Sequence, residues 1–156
     1  MPTPAFVLDI REKIGHDPLW LPGVGAVVYN EAGEVLLGRR ADNGRWALIT
    51  GMVEPGEEPA QALRREVFEE TGVDVEVECL VSVGVVGPIT FPNGDVCTFL
   101  NLDFRCRYLG GQARVNDDES LEVGWFALDS LPELNERHRQ MALTAHASDG
   151  VPQFHR

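Results

Sequence analysis

Positive charge and sulfur are both scarce in this chain of 156 residues. Lys and Arg number 13 against 25 Asp and Glu, a formal charge of −12 at pH 7, so the surface should repel a polyanionic backbone. A nucleic acid polymer is therefore not an expected partner. A small phosphorylated molecule is still admissible, because a few arginines and a bound cation can reverse the field at one site. Cys79, Cys97 and Cys106 are odd in number and widely spaced. They form neither a CxxC pair nor a disulfide framework, and read as small core residues in a reducing compartment. No stretch approaches the roughly 20 apolar residues of a membrane span, and the start, MPTPAFVLDIREKIG, lacks the features of a secretory signal. No membrane partner is expected, and the cytoplasm is the expected location. His16, His138, His146 and His155 lack metal-ligand spacing, and no Ser, Cys and His arrangement suggests covalent catalysis.

Hydrophobic residues at 44% and charged residues at 24% are ordinary for a globular chain, and the length suits one domain. Residues 1–20 mix a helix-like stretch, Phe6 to Ile14, with Pro2, Pro4, Gly15 and Pro18, and read as an arm. From Gly23, VGAVVYN and EVLLGRR flank a turn at Asn30–Gly33 and predict a hairpin. WALIT predicts a short buried strand. The loop GMVEPGEEP leads into a helix from Pro59 to Thr71, stopped by Gly72, with Ala60, Leu63 and Val67 as its apolar stripe. VDVEVECLVSVGVV and VCTFLNLDFRCRYL read as strands about the turn Pro92–Asp95, and LEVGWFAL as another. LPELNERHRQMALTAHA reads as a terminal helix entered through Pro132, and the remainder as a tail. This order predicts an α+β fold, or a mixed sheet sandwiched by helices.

On the Pro59–Thr71 helix, Glu66, Glu69 and Glu70 are spaced i, i+3 and i+4 and so share one face. Carboxylates about 4 Å apart repel by roughly 1 to 4 kcal/mol per pair. A solvated acidic face is the ordinary explanation of such a run. A divalent cation between the carboxylates would turn the repulsion into attraction, and hard oxygen donors suit Mg²⁺ or Mn²⁺.

The segment GMVEPGEEPAQALRREVFEETGV resembles the complete Nudix box, matching at Gly51, Glu57, Arg65, Glu66, Val67, Glu69, Glu70, Gly72 and Val73. The resemblance extends more loosely over residues 23–132. It implies an α/β/α sandwich with a mixed central sheet, dependence on Mg²⁺ or Mn²⁺, and hydrolysis of a nucleoside diphosphate linked to another moiety. Residues 21–145 would form the hydrolase domain, between the arm and a tail at 146–156, and a homodimer is the assembly the resemblance suggests. Carried over by position, Glu66 and Glu70 are metal ligands, and Glu69 is a third ligand or orients water. The Thr50 carbonyl completes the coordination. Glu57 and Arg65 tie loop to helix, while Gly51 serves backbone shape. The general base lies on the box helix or on a later loop, where Glu119 is preferred to Glu122.

Arg39 and Arg40, at the end of a predicted strand, are candidates to neutralise substrate phosphates, against a role in edge-strand solubility. Trp46 and Phe91 are candidates to stack on a base or sugar, although core packing is the commoner role of such residues. The late segment ESLEVGWFALDSLPEL resembles relatives that act on nucleotide sugars. A small nucleotide sugar such as ADP-ribose is therefore placed ahead of a nucleoside triphosphate, and a nucleotide-sensing module without catalysis is the alternative of a different class.

Overall fold

The computed structural model describes residues 3–156. Three helices, α1 (Ala5–Ile14), α2 (Pro59–Thr71) and α3 (Glu136–Thr144), pack on a seven-stranded mixed sheet. The strands are β1 (Leu19–Tyr29), β2 (Val35–Arg40), β3 (Trp46–Ala47), β4 (Ile49–Met52), β5 (Asp74–Thr90), β6 (Val96–Gly110) and β7 (Ser120–Phe126). The path runs β3-β2-β1-β6-β5, with β4 added to β1 and β7 to β2. β1 and β6 are parallel and pair from Leu19↔Cys97 to Tyr29↔Arg107; the other pairings are antiparallel.

β1 and β2 share only the Tyr29↔Val35 register position, and β4 takes the place beside β1 from Gly23↔Met52 to Ala26↔Ile49. The stretch expected as one strand, WALIT, is consequently two: Trp46–Ala47 belongs to β2 and Ile49–Met52 to β1. Side-chain alternation along β1 divides the core. Val24, Ala26 and Val28 face α2, where Leu63 and Val67 cover them. On the opposite face Leu19 and Leu21 lie under Val7 of α1, and Val27 lies under Ala142 of α3. Gly23 and Gly25 share that face between the two helices and are buried against the Asn101 and Asp103 side chains.

Several expected boundaries move. β1 begins at Leu19, so the last two residues of the expected arm belong to the central sheet. Pro2 lies outside the described residues. The buried face of α2 is Ala62, Leu63, Glu66, Val67, Glu70 and Thr71, whereas Ala60 is only half-buried. The apolar stripe is thus shared with two acids. α3 starts at Glu136, not at Pro132, because the Asn135 side chain caps it by accepting from the His138 amide at 2.8 Å. The C-terminal segment is not loose, since Gln153 exchanges backbone hydrogen bonds with Val81 and Val83 on β5. Cys97 and Cys106 are buried, and Cys79 is half-buried. No helix among the described residues is long and apolar enough to cross a membrane.

Candidate active site

The loop before α2 delivers the glutamates. Glu58 is the N-cap, in a reciprocal capping box with Gln61, and Pro59 occupies the first turn, where no amide hydrogen bond is lost. Gly72 ends the helix at φ 70°, a left-handed conformation that suits glycine. This short rigid helix places Glu66 and Glu70 inward, at 0% and 7% exposure, and leaves Glu69 half-exposed.

Arg65 organises the group. Its Nε donates to Glu57 Oε1 at 2.8 Å and its Nη2 to Glu57 Oε2 at 3.0 Å, clamping loop to helix with a two-point ion pair. Nη2 also donates to the Met52 carbonyl at 3.3 Å, while Nη1 reaches Glu66 Oε1 at 3.0 Å and Glu69 Oε2 at 3.3 Å. The carboxyl of Glu57 is held below its usual range by this guanidinium. Glu66 Oε2 is buried and accepts no hydrogen bond from the described residues. Burial pushes the Glu66 carboxyl up to about 7 against the opposing pull of Arg65. Burial pushes Glu70 further, to about 9, with the charges of Glu119, Glu66 and Asp117 adding to it.

Gly51 lies against Glu66. A Cβ at this position would fall 2.2 Å from Glu66 Cγ and 2.3 Å from Cδ, so only glycine leaves room for the carboxyl. Gly51→Ala should displace Glu66 and cut Mg²⁺-dependent turnover by about tenfold or more, on the scale of disturbed ligand support. Retained turnover in steady-state assays would show that the Glu66 position is irrelevant.

Among the described residues no three His, Cys, Asp or Glu side chains are arranged to hold a metal ion between them. Like charges repel, and Arg65 Nη1 already engages one oxygen each of Glu66 and Glu69. The donor set fits a hard divalent cation nonetheless. Glu66 carries a buried oxygen with no partner among the described residues, and Glu70 is crowded by acids whose repulsion a cation would relieve.

Glu66 borders a cleft of about 1640 Å³ that Thr50, Gly51, Arg39, Arg40, Glu119, Phe91, Phe99, Asn101, Arg137 and His138 also line. The candidates from sequence are placed unequally. Arg40 donates to both Asp42 oxygens, at 2.9 and 2.6 Å, and its positive charge is felt by Glu70. Arg39 pairs with Glu122 at 2.6 Å, and the charge of Glu119 acts on both Glu66 and Glu70. Trp46 meets Phe126 edge to face at 4.8 Å, and Phe91 packs against the cluster of Val7, Leu19, Leu21 and Cys97, so both are partly buried at the edge of the core and also line the cleft. Glu69 opens instead onto a second hollow outside α2, with Glu54, Glu57, Asp117 and Asp118. Thr50 pairs with Gly25 across the β1–β4 ladder.

Sequence reasoning missed the middle of the cleft floor. Asn101 and Asp103 are buried polar residues at alternate positions of β6, opposite Gly23 and Gly25 of β1. A run of polar residues at period two along β6, Asn101, Asp103, Arg105 and Arg107, together with two glycines at period two in β1, was the available signal. His138, assigned no role, is buried; its Nδ1 accepts from the Leu48 amide at 3.2 Å, and burial lowers its pKa to about 4.

The NUDIX domain family model matches residues 19–145. A MutT-like protein of Streptomyces ambofaciens is 42% identical over 116 residues, 74% of this chain and 70% of that protein. The 8-oxo-dGDP phosphatase NUDT18 of Homo sapiens is 38% identical over 113 residues, which cover 69% of this chain but only 32% of that longer protein. Among solved structures, an ADP-ribose pyrophosphatase from Streptococcus suis superposes with a TM-score of 0.66 at 26% identity, over 86% of this chain and 98% of that one. With Glu66 and Glu70 of the box buried, Glu66 lining a cleft, and the family model spanning most of the sequence, the chain belongs to the Nudix family and is a hydrolase of diphosphate linkages.

Proposed function

We propose that the substrate is a nucleoside diphosphate linked to a further group, a nucleotide sugar such as ADP-ribose being the first to test. The observation that carries this reading is the cleft itself: about 1640 Å³, lined by acids and arginines together with aromatic and amide groups. Sites for ordinary small ligands run to roughly 300–1,000 Å³. The size therefore favours a substrate with groups on both sides of the diphosphate over a lone phosphate ester.

Glu66 and Glu70, with the Thr50 carbonyl and with Glu69 reaching in from the outer side, would hold a divalent cation such as Mg²⁺ or Mn²⁺. Bound there, the cation would neutralise diphosphate oxygens and acidify water. Arg40 is the phosphate-binding group, in exchange for part of its pairing with Asp42. Glu119 takes the proton as water attacks phosphorus, and Arg65 holds Glu66 and Glu57 still. The products are a nucleoside monophosphate and the phosphorylated remainder.

A second reading is a free nucleoside diphosphate or triphosphate of a damaged base, favoured by the 38% identity to a protein described as an 8-oxo-dGDP phosphatase. One panel separates the two: ADP-ribose, other nucleotide sugars, nucleoside di- and triphosphates and 8-oxo-dGDP, each with Mg²⁺ and Mn²⁺, with products identified. Nucleotide sugars should give the highest kcat/KM and release a nucleoside monophosphate. Release of inorganic phosphate or pyrophosphate from free nucleotides at higher kcat/KM would replace the first reading with the second, and ligand binding without any product would favour a sensing module.

A further inference from the structure

The floor of the cleft carries polar chemistry that hydrolysis at the glutamates does not use. Asp103 is 3% exposed and fully engaged: Oδ1 accepts from Asn101 Nδ2 at 2.7 Å, and Oδ2 accepts from Ser82 Oγ at 2.8 Å and from Arg137 Nη2. A carboxylate only accepts, so it dictates which way the Asn101 amide lies. The NH₂ faces Asp103, and the Asn101 Oδ1 accepts no hydrogen bond from the described residues although Asn101 lines the cleft. Space is reserved for this arrangement. A Cβ on Gly23 would lie 2.6 Å from Asn101 Oδ1, and one on Gly25 would lie 2.2 Å from Asp103 Oδ1. Arg137, on the first turn of α3, also lines the cleft and spends only Nη2 on Asp103.

Asn101 and Arg137 thus sit on the two oxygens of one carboxylate, one presenting a fixed acceptor and the other a cationic donor. We infer that they read the lactam edge of the substrate's base, an N–H beside a carbonyl oxygen, so that guanine- or uracil-type bases are taken ahead of adenine. Asn101 Oδ1 accepts the ring N–H and the Arg137 guanidinium donates to the carbonyl. Arginine commonly contacts guanine through its O6 carbonyl oxygen. An asparagine reads adenine through its amide nitrogen and oxygen together, and here the nitrogen is committed to Asp103. Asp103 is a positioning residue. The inference rests on the reading of this cleft as a nucleotide site, and it replaces adenine by a lactam base within that class.

The test is equilibrium binding, which does not require turnover. Calorimetry with GDP, N1-methyl-GDP and ADP in Mg²⁺ should give wild-type affinity for GDP about tenfold above either of the others, the ratio expected of one lost hydrogen bond. Asn101→Ala should lower GDP affinity by about the same factor and leave N1-methyl-GDP unchanged. Asp103→Asn should erase the discrimination while affinity for inorganic pyrophosphate stays at the wild-type value. Equal wild-type affinities for GDP and N1-methyl-GDP overturn the inference without any variant, and so does an Asn101→Ala loss that is the same for all three ligands. Selective binding with no hydrolysis of any nucleotide would leave the inference standing and sink the proposed function.

Discussion

Glu70→Gln is expected to lower kcat/KM with Mg²⁺ by about 10²- to 10³-fold, the scale for losing one electrostatic group at a reacting centre. The same variant should be more thermostable than the wild type when EDTA removes divalent cations at pH 8. The folded-state pKa of Glu70 is raised from 4.5 to about 9, first by burial and then by Glu119, Glu66 and Asp117. Below pH 4.5 the carboxyl is protonated whether the chain is folded or not, so it costs nothing there. Between pH 4.5 and 9 the unfolded chain ionises first, and the native state loses stability as pH rises. The displacement corresponds to several kcal/mol, which exceeds the roughly 1–3 kcal/mol at stake if the new amide lacks a partner. The Tm advantage of the variant should therefore grow from pH 5 to pH 9. Unchanged Mg²⁺-dependent activity would remove Glu70 from the site, and a variant less stable than wild type at pH 8 would refute the electrostatic account. A carboxylate that destabilises the fold and enables turnover is a functional group.

Arg65→Met should lose both stability and activity. The substitution removes the clamp on Glu57, the contacts to Glu66 and Glu69, and the donor to the Met52 carbonyl. Leaving a buried acid unpaired costs about 3–5 kcal/mol when it must remain charged. Glu66, already raised to about 7, can escape part of that by protonating, so the loss should be nearer 2–3 kcal/mol at pH 7 and larger at pH 9. Turnover should drop by about 10- to 100-fold, as for groups that orient metal ligands. Arg65→Lys should recover little, because a single ammonium cannot span Glu57 and Glu66 as the planar guanidinium does. Chemical denaturation at the two pH values and steady-state kinetics would check this. Full activity in Arg65→Lys would mean that only its charge matters.

How much of this was legible beforehand depended on distance along the chain. Gly51, Glu57, Arg65, Glu66, Glu69, Glu70 and Gly72 lie within one loop and one helix, so their relative placement follows from turn chemistry and helical spacing, and the bounds Pro59–Thr71 could be read directly. Which of the three glutamates is buried could not. Glu66 and Glu70 turn inward because α2 lies across β1 and β4, while Glu69, one position before Glu70, opens to the other side of Arg65. Helix boundaries missed at α3 were decided by Asn135, whose cap outweighed the proline before it.

The local code of this sequence determined the box, its rigid helix, and the hard-oxygen chemistry of its acids. Tertiary structure alone decided what the acids face. Parallel pairing of β1 with β6 carries Asn101 and Asp103 over Gly23 and Gly25, which lie more than 75 positions earlier in the chain. Side chains of β5, β6 and α3 share the cleft with Glu66 because burial of separate apolar clusters docks those elements there. Local propensity sets the geometry of neighbours in sequence, whereas the partner of a distant polar group is set by which apolar faces must be buried together.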